Sequence, residues 1–382
     1  MKSNPPITFY FVAGELSGDT HAASLMQSLT KRLPNVRFYG NGGPKMAAIS
    51  QASAGKIEDW TQDAAVLGLW EVLRKYGYFK KRFDEMLEQI LALQPDAVIL
   101  VDYPGFNLRL AKALRKRGYT NHIIYYISPQ VWAWNLKRIP KMAAILDLMI
   151  CIFPFEPAYY EKHSLRSVFV GHPGLDHLPK SRIRGMRRQE RLVGLFPGSR
   201  MREVKALFPV MLRAARRVRR IMPDIDFVVA AADERTAAEI RKLLKNDPIC
   251  SVTVGNAREL MQRASAGIIA SGSATLEAAF FGLPYGIVYK VNPVTYVAAK
   301  TVVKVRFLGI INILAGREMV KEYIQGRANE TNVMYEIFRL LEDDAVRLKM
   351  IDNMRDVIRQ LGKRGASERA AAIISREFRP TP

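Results

Sequence analysis

The sequence predicts an α/β protein built from two doubly wound parallel-sheet domains. Three observations carry this. Short β-branched or aromatic segments alternate with helical-period stretches of roughly 10–20 residues, the signature of βαβ units. The alternation runs twice, broken by an arginine-rich, strand-poor stretch at 177–191. Glycine- and hydroxyl-rich turns recur where a strand ends and a helix begins, the place where open α/β sheets bind ligands.

The first series of strands is Thr8–Val12, Val36–Tyr39, Ala97–Val101, His122–Tyr126, Leu148–Phe153 and Ser167–Phe169. His21–Arg32 reads as the first helix, with Ala22, Leu25, Met26 and Leu29 on one face. The second series is Leu192–Phe196, Phe227–Ala231, Ser251–Val254, Ala266–Ala270 and Gly286–Tyr289, with Lys205–Met222 as its long helix. Right-handed crossovers then place helices on both faces of each sheet. The series define Rossmann-like domains over 1–175 and 190–344, and the polar chain end, 345–382, reads as helical.

The chain has 382 residues, of which 49% are apolar and 25% charged, a globular balance that excludes wholesale disorder. Cys151 and Cys250 are far apart, which argues against a disulfide framework or a cysteine-rich zinc site. The longest apolar run, Met142–Phe155, is interrupted by Asp147 and is too short to span a bilayer. The N-terminus shows no cleavable signal pattern. Lys+Arg 58 against Asp+Glu 36 gives a net charge of +22, which fits nucleic acid, an anionic lipid surface or phosphate-bearing substrates. There is no zinc-finger, RNP or KH signature to favour nucleic acid.

Seven motifs carry candidate chemistry. Gly14-Glu15-Leu16-Ser17-Gly18-Asp19 follows the first strand, and its glycines allow close backbone approach, although Ser17 or Asp19 fits a helix N-cap equally well. Gly40-Asn41-Gly42-Gly43-Pro44-Lys45-Met46 reads most simply as a glycine-rich turn. Asp102-Tyr103-Pro104-Gly105-Phe106-Asn107 ends a very apolar strand; Asp102 suits a general base, with a helix cap as the alternative. Ser128-Pro129-Gln130-Val131-Trp132-Ala133-Trp134, followed by Arg138, puts two tryptophans in a loop, where they contact ligand or simply pack.

In the second series, Pro197-Gly198-Ser199-Arg200 opens a helix. Its free amides suit phosphate and its guanidinium suits diphosphate oxygens, against the plainer reading of an N-cap serine beside a surface arginine. Ser271-Gly272-Ser273-Ala274-Thr275-Leu276-Glu277 repeats the arrangement. A carboxylate at Glu277 must be paired or bonded, and a ribose diol is a natural partner; a capping carboxylate is the alternative. Asn312 and Arg317, in Asn312-Ile313-Leu314-Ala315-Gly316-Arg317-Glu318, are polar groups beside an apolar stretch. Asp224-Ile225-Asp226 precedes a strand and is not expected to bind metal; of the five histidines only His172 invites attention. The absence of a G-x-S-x-G elbow weakens a hydrolase reading.

Taken in order, these motifs resemble the lipid-A-disaccharide synthases, glycosyltransferase family 19, from about Phe9 to Glu322. The resemblance rests on AGE-x-SGD, G-x-GGPKM, the S-P-x-VWAW loop, PGSR-x-x-EV, SGSATLE and N-x-LAGRE. It implies a GT-B fold, with two Rossmann-like domains facing across a cleft and the last helix crossing back onto the N-terminal one or onto a partner. It implies an inverting transfer that joins UDP-2,3-diacylglucosamine to 2,3-diacylglucosamine 1-phosphate, yielding the β-1,6 lipid A disaccharide 1-phosphate and UDP. It further implies no metal and no cofactor, work at the cytoplasmic face of the inner membrane, and homodimers formed by exchange of C-terminal segments. The family pattern has an acid where Gly105 stands and a proline where Ile311 stands, which leaves Asp102 as the principal base candidate.

The expected roles follow. Asp102 and Arg200 are catalytic; Glu15, Ser17, Gly18, Asp19, Asn107, Trp132 and Arg138 form the acceptor side. Gly198, Ser199, Ser271, Gly272, Ser273, Thr275 and Glu277 bind the donor, and Asn312 and Arg317 are substrate-binding residues lining the cleft. The segment 64–83 mixes apolar, aromatic and basic residues, so Leu69, Trp70, Leu73, Lys80 and Lys81 are expected to meet an anionic membrane, with a buried helix as the alternative. Two rivals stand beside this reading: another GT-B UDP-sugar enzyme, of the UDP-N-acetylglucosamine 2-epimerase or peptidoglycan glycosyltransferase type, and a basic nucleic-acid-binding scaffold.

Overall fold

The computed structural model describes residues 5–61, 76–179, 186–293, 296, 297, 303 and 305–378. The chain divides into two compact units, Met1–His177 with Leu361–Pro382, and Leu178–Gln360.

Unit 1 holds strands β1 (Ile7–Ala13), β2 (Val36–Gly42), β3 (Lys56–Asp59), β4 (Ala97–Val101), β5 (His122–Tyr126), β6 (Leu148–Cys151) and β7 (Ser167–Phe169). All are parallel, in the order β3-β2-β1-β4-β5-β6-β7. The connecting helices are α1 (Leu16–Thr30), α2 (Pro44–Ala52), α3 (Tyr76–Leu93), α4 (Pro104–Lys116), α5 (Val131–Trp134), α6 (Ile139–Ala143) and α7 (Pro157–Glu161). Every residue of β4 and the stretch Phe9–Ala13 of β1 are buried, as expected for strands covered by helices on both faces.

Unit 2 repeats the plan with β8 (Gln189–Phe196), β9 (Asp226–Ala231), β10 (Cys250–Val254), β11 (Ala264–Ala270), β12 (Tyr285–Tyr289) and β13 (Glu322–Ile324). Their order is β10-β9-β8-β11-β12-β13, again all parallel. Its helices are α8 (Met201–Ile221), α9 (Glu234–Leu244), α10 (Ala257–Arg263), α11 (Ser273–Phe280), α12 (Ile310–Ala315), α13 (Glu330–Glu342) and α14 (Asp344–Gln360).

The polar end, expected as one helical segment over 345–382, is two helices. After α14 the chain turns through Gly362 and Gly365, both at positive φ, and α15 (Ala366–Glu377) packs on α1 in unit 1. Small buried residues, Ala366, Ala370 and Ala371, allow that close approach. Asp176 accepts from the Gly365 and Ser367 amides at 2.7 and 3.3 Å and so caps α15. Phe378 then meets Phe9 edge-on at 5.0 Å.

Strand order reverses between β1 and β4 in unit 1 and between β8 and β11 in unit 2. These switch points open a crevice beyond the carboxyl ends of the strands, where ligands bind in this class of sheet. The registers Ala13↔Val101 and Phe196↔Ile269 set the AGE turn beside Asp102, and PGSR beside SGSATLE.

Candidate active site

In unit 2 the two turns enclose a pocket of about 300 Å³, lined by Gly198, Ser199, Arg200, Glu203, Ser271, Gly272, Ser273 and Glu277 over a floor of Phe196, Ala230 and Met261. Gly198 has φ +103, and a Cβ there would fall 2.3 Å from Glu203 Oε2, so this turn closes only with glycine. Arg200 is the extended N-cap residue of α8, and its Nη1 lies 3.3 Å from Glu203 Oε1. The first-turn amides of α8 and α11 belong to the same two turns, which gives the pocket anion-binding character. Glu277 is paired, as its helix requires, but its partner is Arg258, not foreseen from sequence. Nε and Nη2 of Arg258 donate to Oε2 and Oε1 at 3.1 and 3.0 Å.

Three residues of unit 2 expected to bind substrate make other contacts. Thr275 is buried and its hydroxyl donates to Gly272 O at 2.7 Å, which fixes the turn. Asn312 is fully buried; its Nδ2 donates to Val320 O and Glu322 Oε1, and its Oδ1 accepts from the Met319 and Val320 amides. It staples the loop before β13 and has no group left over for a ligand. Arg317 is exposed and donates to Asn353 Oδ1 at 2.7 Å.

In unit 1, Asp102 and Tyr103 both adopt left-handed backbone, φ +47 and +50. Such strain persists only where neighbours enforce it. Here the Asp102 carbonyl accepts from Asn107 Nδ2 at 2.7 Å and Tyr125 Oη at 2.5 Å, while its amide donates to Tyr126 O at 3.0 Å. The Tyr103 ring lies over Gly14, where a Cβ would be 2.5 Å from it. Gly14 is therefore required by a tyrosine ring; no ligand need be invoked. Asp102 does not cap α4, whose N-cap residue is Tyr103. Burial, and then the charge of Glu15, push its carboxyl up to about 6 against a smaller opposing bond from the Tyr103 amide. A carboxylate poised there suits a general base.

The other acceptor-side residues divide. Glu15 is half-buried and Ser17 exposed at the entry to α1; Gly18 packs against Ala13. Asp19 is buried, and its carboxylate accepts from the amides of Gly43, Met46 and Lys45 at 3.1, 3.0 and 3.2 Å. It caps α2, so two motifs that read as separate turns are one construction. Trp132 is buried, and its indole N–H donates to Glu156 Oε1 at 3.0 Å. Glu156, itself buried, accepts from the Ile152 and Phe153 amides through Oε2. Trp134 is the more open tryptophan, with the Arg138 guanidinium 4.8 Å above its ring. His172 is held neutral by burial, down to about 4, and its Nδ1 accepts from the Gly174 amide.

Lys80 and Lys81 are exposed on α3, whereas Leu69, Trp70 and Leu73 lie outside the described residues. Among the described residues no helix is long and apolar enough to cross a membrane.

Two doubly wound units with anion-suited turns at a switch point define an α/β enzyme of the GT-B class. The fold is similar over nearly its whole length to that of S. aureus MnaA solved with UDP (TM-score 0.65, 13% identity, 97% of each chain). It is also similar to the calicheamicin glycosyltransferase CalG4 (TM-score 0.58, 15% identity, 99% of this chain and 100% of that one). The chain belongs to the lipid-A-disaccharide synthetase family, whose model matches residues 9–376. The lipid-A-disaccharide synthase of Geobacter sulfurreducens is 38% identical over 382 residues, covering 98% of both chains. The activity is accordingly glycosyl transfer in lipid A disaccharide synthesis, from a UDP-sugar to a sugar acceptor. The epimerase and nucleic-acid readings are not favoured.

Proposed function

We propose that the chain joins UDP-2,3-diacylglucosamine to 2,3-diacylglucosamine 1-phosphate with inversion, giving the β-1,6 disaccharide 1-phosphate and UDP. In this reading the domain over 190–344, within unit 2, takes the donor. The observation that carries it is the pocket of about 300 Å³ with Arg200 and Glu277 on its wall, at the small end of ligand-site sizes and suited to a nucleotide headgroup. The domain over 1–175, within unit 1, takes the acceptor. Asp102 accepts the proton of the acceptor 6-hydroxyl as that oxygen bonds to the anomeric carbon. The bond from that carbon to the UDP oxygen breaks and its electron pair stays on the diphosphate. Arg200 and the amides after Gly198 and Gly272 stabilise that charge, and Glu277 accepts from the ribose hydroxyls. Glu15 keeps Asp102 basic, while Asn107, Asp19, Trp132, Thr275 and Asn312 position the loops. The acylated substrates place the enzyme on the inner face of the inner membrane. Lys80 and Lys81, beside the segment containing Leu69, Trp70 and Leu73, supply the attraction to anionic lipid. The test is purified protein with both diacylated sugars, with and without a chelator, reading disaccharide and UDP; UDP release without disaccharide would overturn the reading.

A further inference from the structure

Glu203 stands in the first turn of α8 and lines the unit 2 pocket beside Ser199 and Arg200. A carboxylate there repels the anions that the pocket's amides attract. An acid in the first turn of a helix is common and helps it modestly through the dipole. That does not explain where this side chain goes. In a capping box it would reach back to the N-cap amide. Among the described residues it meets the Arg200 guanidinium instead, Nη1 donating to Oε1 at 3.3 Å. Its other oxygen, Oε2, takes the space in which a Cβ at residue 198 would fall, 2.3 Å away. The carboxylate is thus turned into the PGSR turn, with 22% of the side chain exposed against 53% for Arg200. Tyr289, at the end of β12, lies in reach of the same charges: burial and then Glu203 push its hydroxyl up, while Arg200 and Arg202 oppose. A contact this long and open adds little to stability. Its consequence is for an anion that meets Arg200 from the pocket, since one guanidinium then answers two negative partners.

We infer that Glu203 is a positioning residue that competes with the diphosphate for Arg200: it holds the guanidinium at the pocket wall in the free enzyme, and its charge then limits the affinity for UDP so that product leaves after transfer. The inference rests on the reading of Arg200 as a diphosphate ligand. Two unit charges about 6 Å apart shift an equilibrium about three- to tenfold at effective dielectrics of about 40–80, which sets the size of the effect. A glutamate kept only for structure would act with the opposite sign, because its loss would loosen the turn and weaken binding.

The experiment is calorimetric binding of UDP to the full chain and to Glu203→Gln, Arg200→Ala and the double variant. Inhibition constants of UDP and uridine against the donor are measured beside it for the wild type and Glu203→Gln. Gln keeps the shape of the side chain and removes its charge. The expected result is that Glu203→Gln binds UDP about three- to tenfold more tightly, with the UDP inhibition constant falling by the same factor and that of uridine, which has no phosphate, unchanged. Arg200→Ala should weaken UDP binding, and in that background Glu203→Gln should tighten it by a smaller factor than in the wild type, as coupled partners require. If Arg200→Ala leaves UDP affinity intact, the reading of Arg200 as a diphosphate ligand fails and the inference falls with it. If Arg200→Ala weakens UDP binding while Glu203→Gln leaves it unchanged or weaker, that reading stands and the inference is overturned. Equal tightening in both backgrounds also overturns it, since the charge would then act on the diphosphate without competing for Arg200. Should Glu203→Gln fold poorly, the ratio of UDP to uridine affinity in Glu203→Ala decides in its place: a raised ratio supports the competition, and an unchanged or lowered one overturns it.

Discussion

Replacing Asp102 with Asn should stabilise the protein at neutral pH while abolishing turnover. Asn occupies left-handed backbone as readily as Asp, so the φ of +47 is no obstacle. Burial and the Glu15 charge raise the Asp102 carboxyl from its ordinary 3.8 to about 6. The folded chain therefore holds this proton more tightly than the unfolded chain between those values. Wild-type stability falls as pH rises through the window, and the loss is complete above it. Each pH unit is worth about 1.4 kcal/mol, so the full loss approaches about 3 kcal/mol, or about 2–3 after screening at a half-buried site. Asn does not titrate. The stability difference between Asp102→Asn and wild type should thus be smallest below pH 4 and grow by about 2–3 kcal/mol by pH 7, because the other carboxyls cancel. The assay is urea unfolding of both proteins from pH 4 to 8, beside a pH–rate profile. Wild-type turnover should fall below about pH 6, and Glu15→Gln should move that limb to lower pH by removing the second cause of the shift. A pH-independent stability difference, or substantial turnover in Asp102→Asn, would refute the reasoning.

Arg200 is exposed and, among the described residues, held by a long contact to Glu203, so Arg200→Ala should leave the melting temperature within a degree or two while lowering kcat about 10²–10³-fold, as for loss of one charge-stabilising donor. Asp19→Ala should do the opposite. It orphans three amides at the start of α2 and should cost about 2–3 kcal/mol in urea unfolding, with UDP affinity unchanged. Lys80→Glu with Lys81→Glu should weaken binding to phosphatidylserine vesicles at least about 30-fold, at about 1 kcal/mol per charge removed, with neutral vesicles unaffected. Equal retention on both vesicle types would remove α3 from the membrane surface.

The strands were legible where burial is two-sided. Ala97–Val101 and His122–Tyr126 are apolar or aromatic almost throughout, and the structure returns the same boundaries. The two strands missed, β3 and β13, are sheet edges of 4 and 3 residues, carrying Lys56, Glu58, Asp59 and Glu322, with no hydrophobic period to detect. β8 begins at Gln189, inside the stretch read as strand-poor, because its first three residues are exposed and charged or polar. The turns of the candidate site were legible because glycine beside hydroxyls at a strand end has few other uses. Their partners were not. Glu277 finds Arg258 19 residues away, and Asp19 finds Gly43 24 residues away, separations fixed by crossover geometry rather than by any local pattern. Glu156 carried a faint signal, a lone carboxylate directly after the apolar run Cys151–Phe155, where only bonding makes burial tolerable.

That division has a physical cause. A turn that must present bare amides to a ligand cannot also satisfy its own backbone through those amides, so other polar side chains must hold its shape from behind. In unit 1 that work falls to Asp19, Asn107 and Trp132, and in unit 2 to Thr275 and Asn312; all are buried and bonded to the loops they support. The groups left at the front are Glu15, Ser17, Asp102, Ser199, Arg200, Ser273 and Glu277. Sequence motifs record both sets alike, because losing either empties the site. The two sets separate only in kinetics and stability taken together. Substitution from behind should lower unfolding free energy first and activity through it, whereas substitution at the front should change activity at constant or raised stability. The proposed mechanism assigns Asp102 to the front; burial raises the carboxyl of the supporting Glu156 as well, so it is the Asp102→Asn rate and stability profiles that decide on which side Asp102 falls.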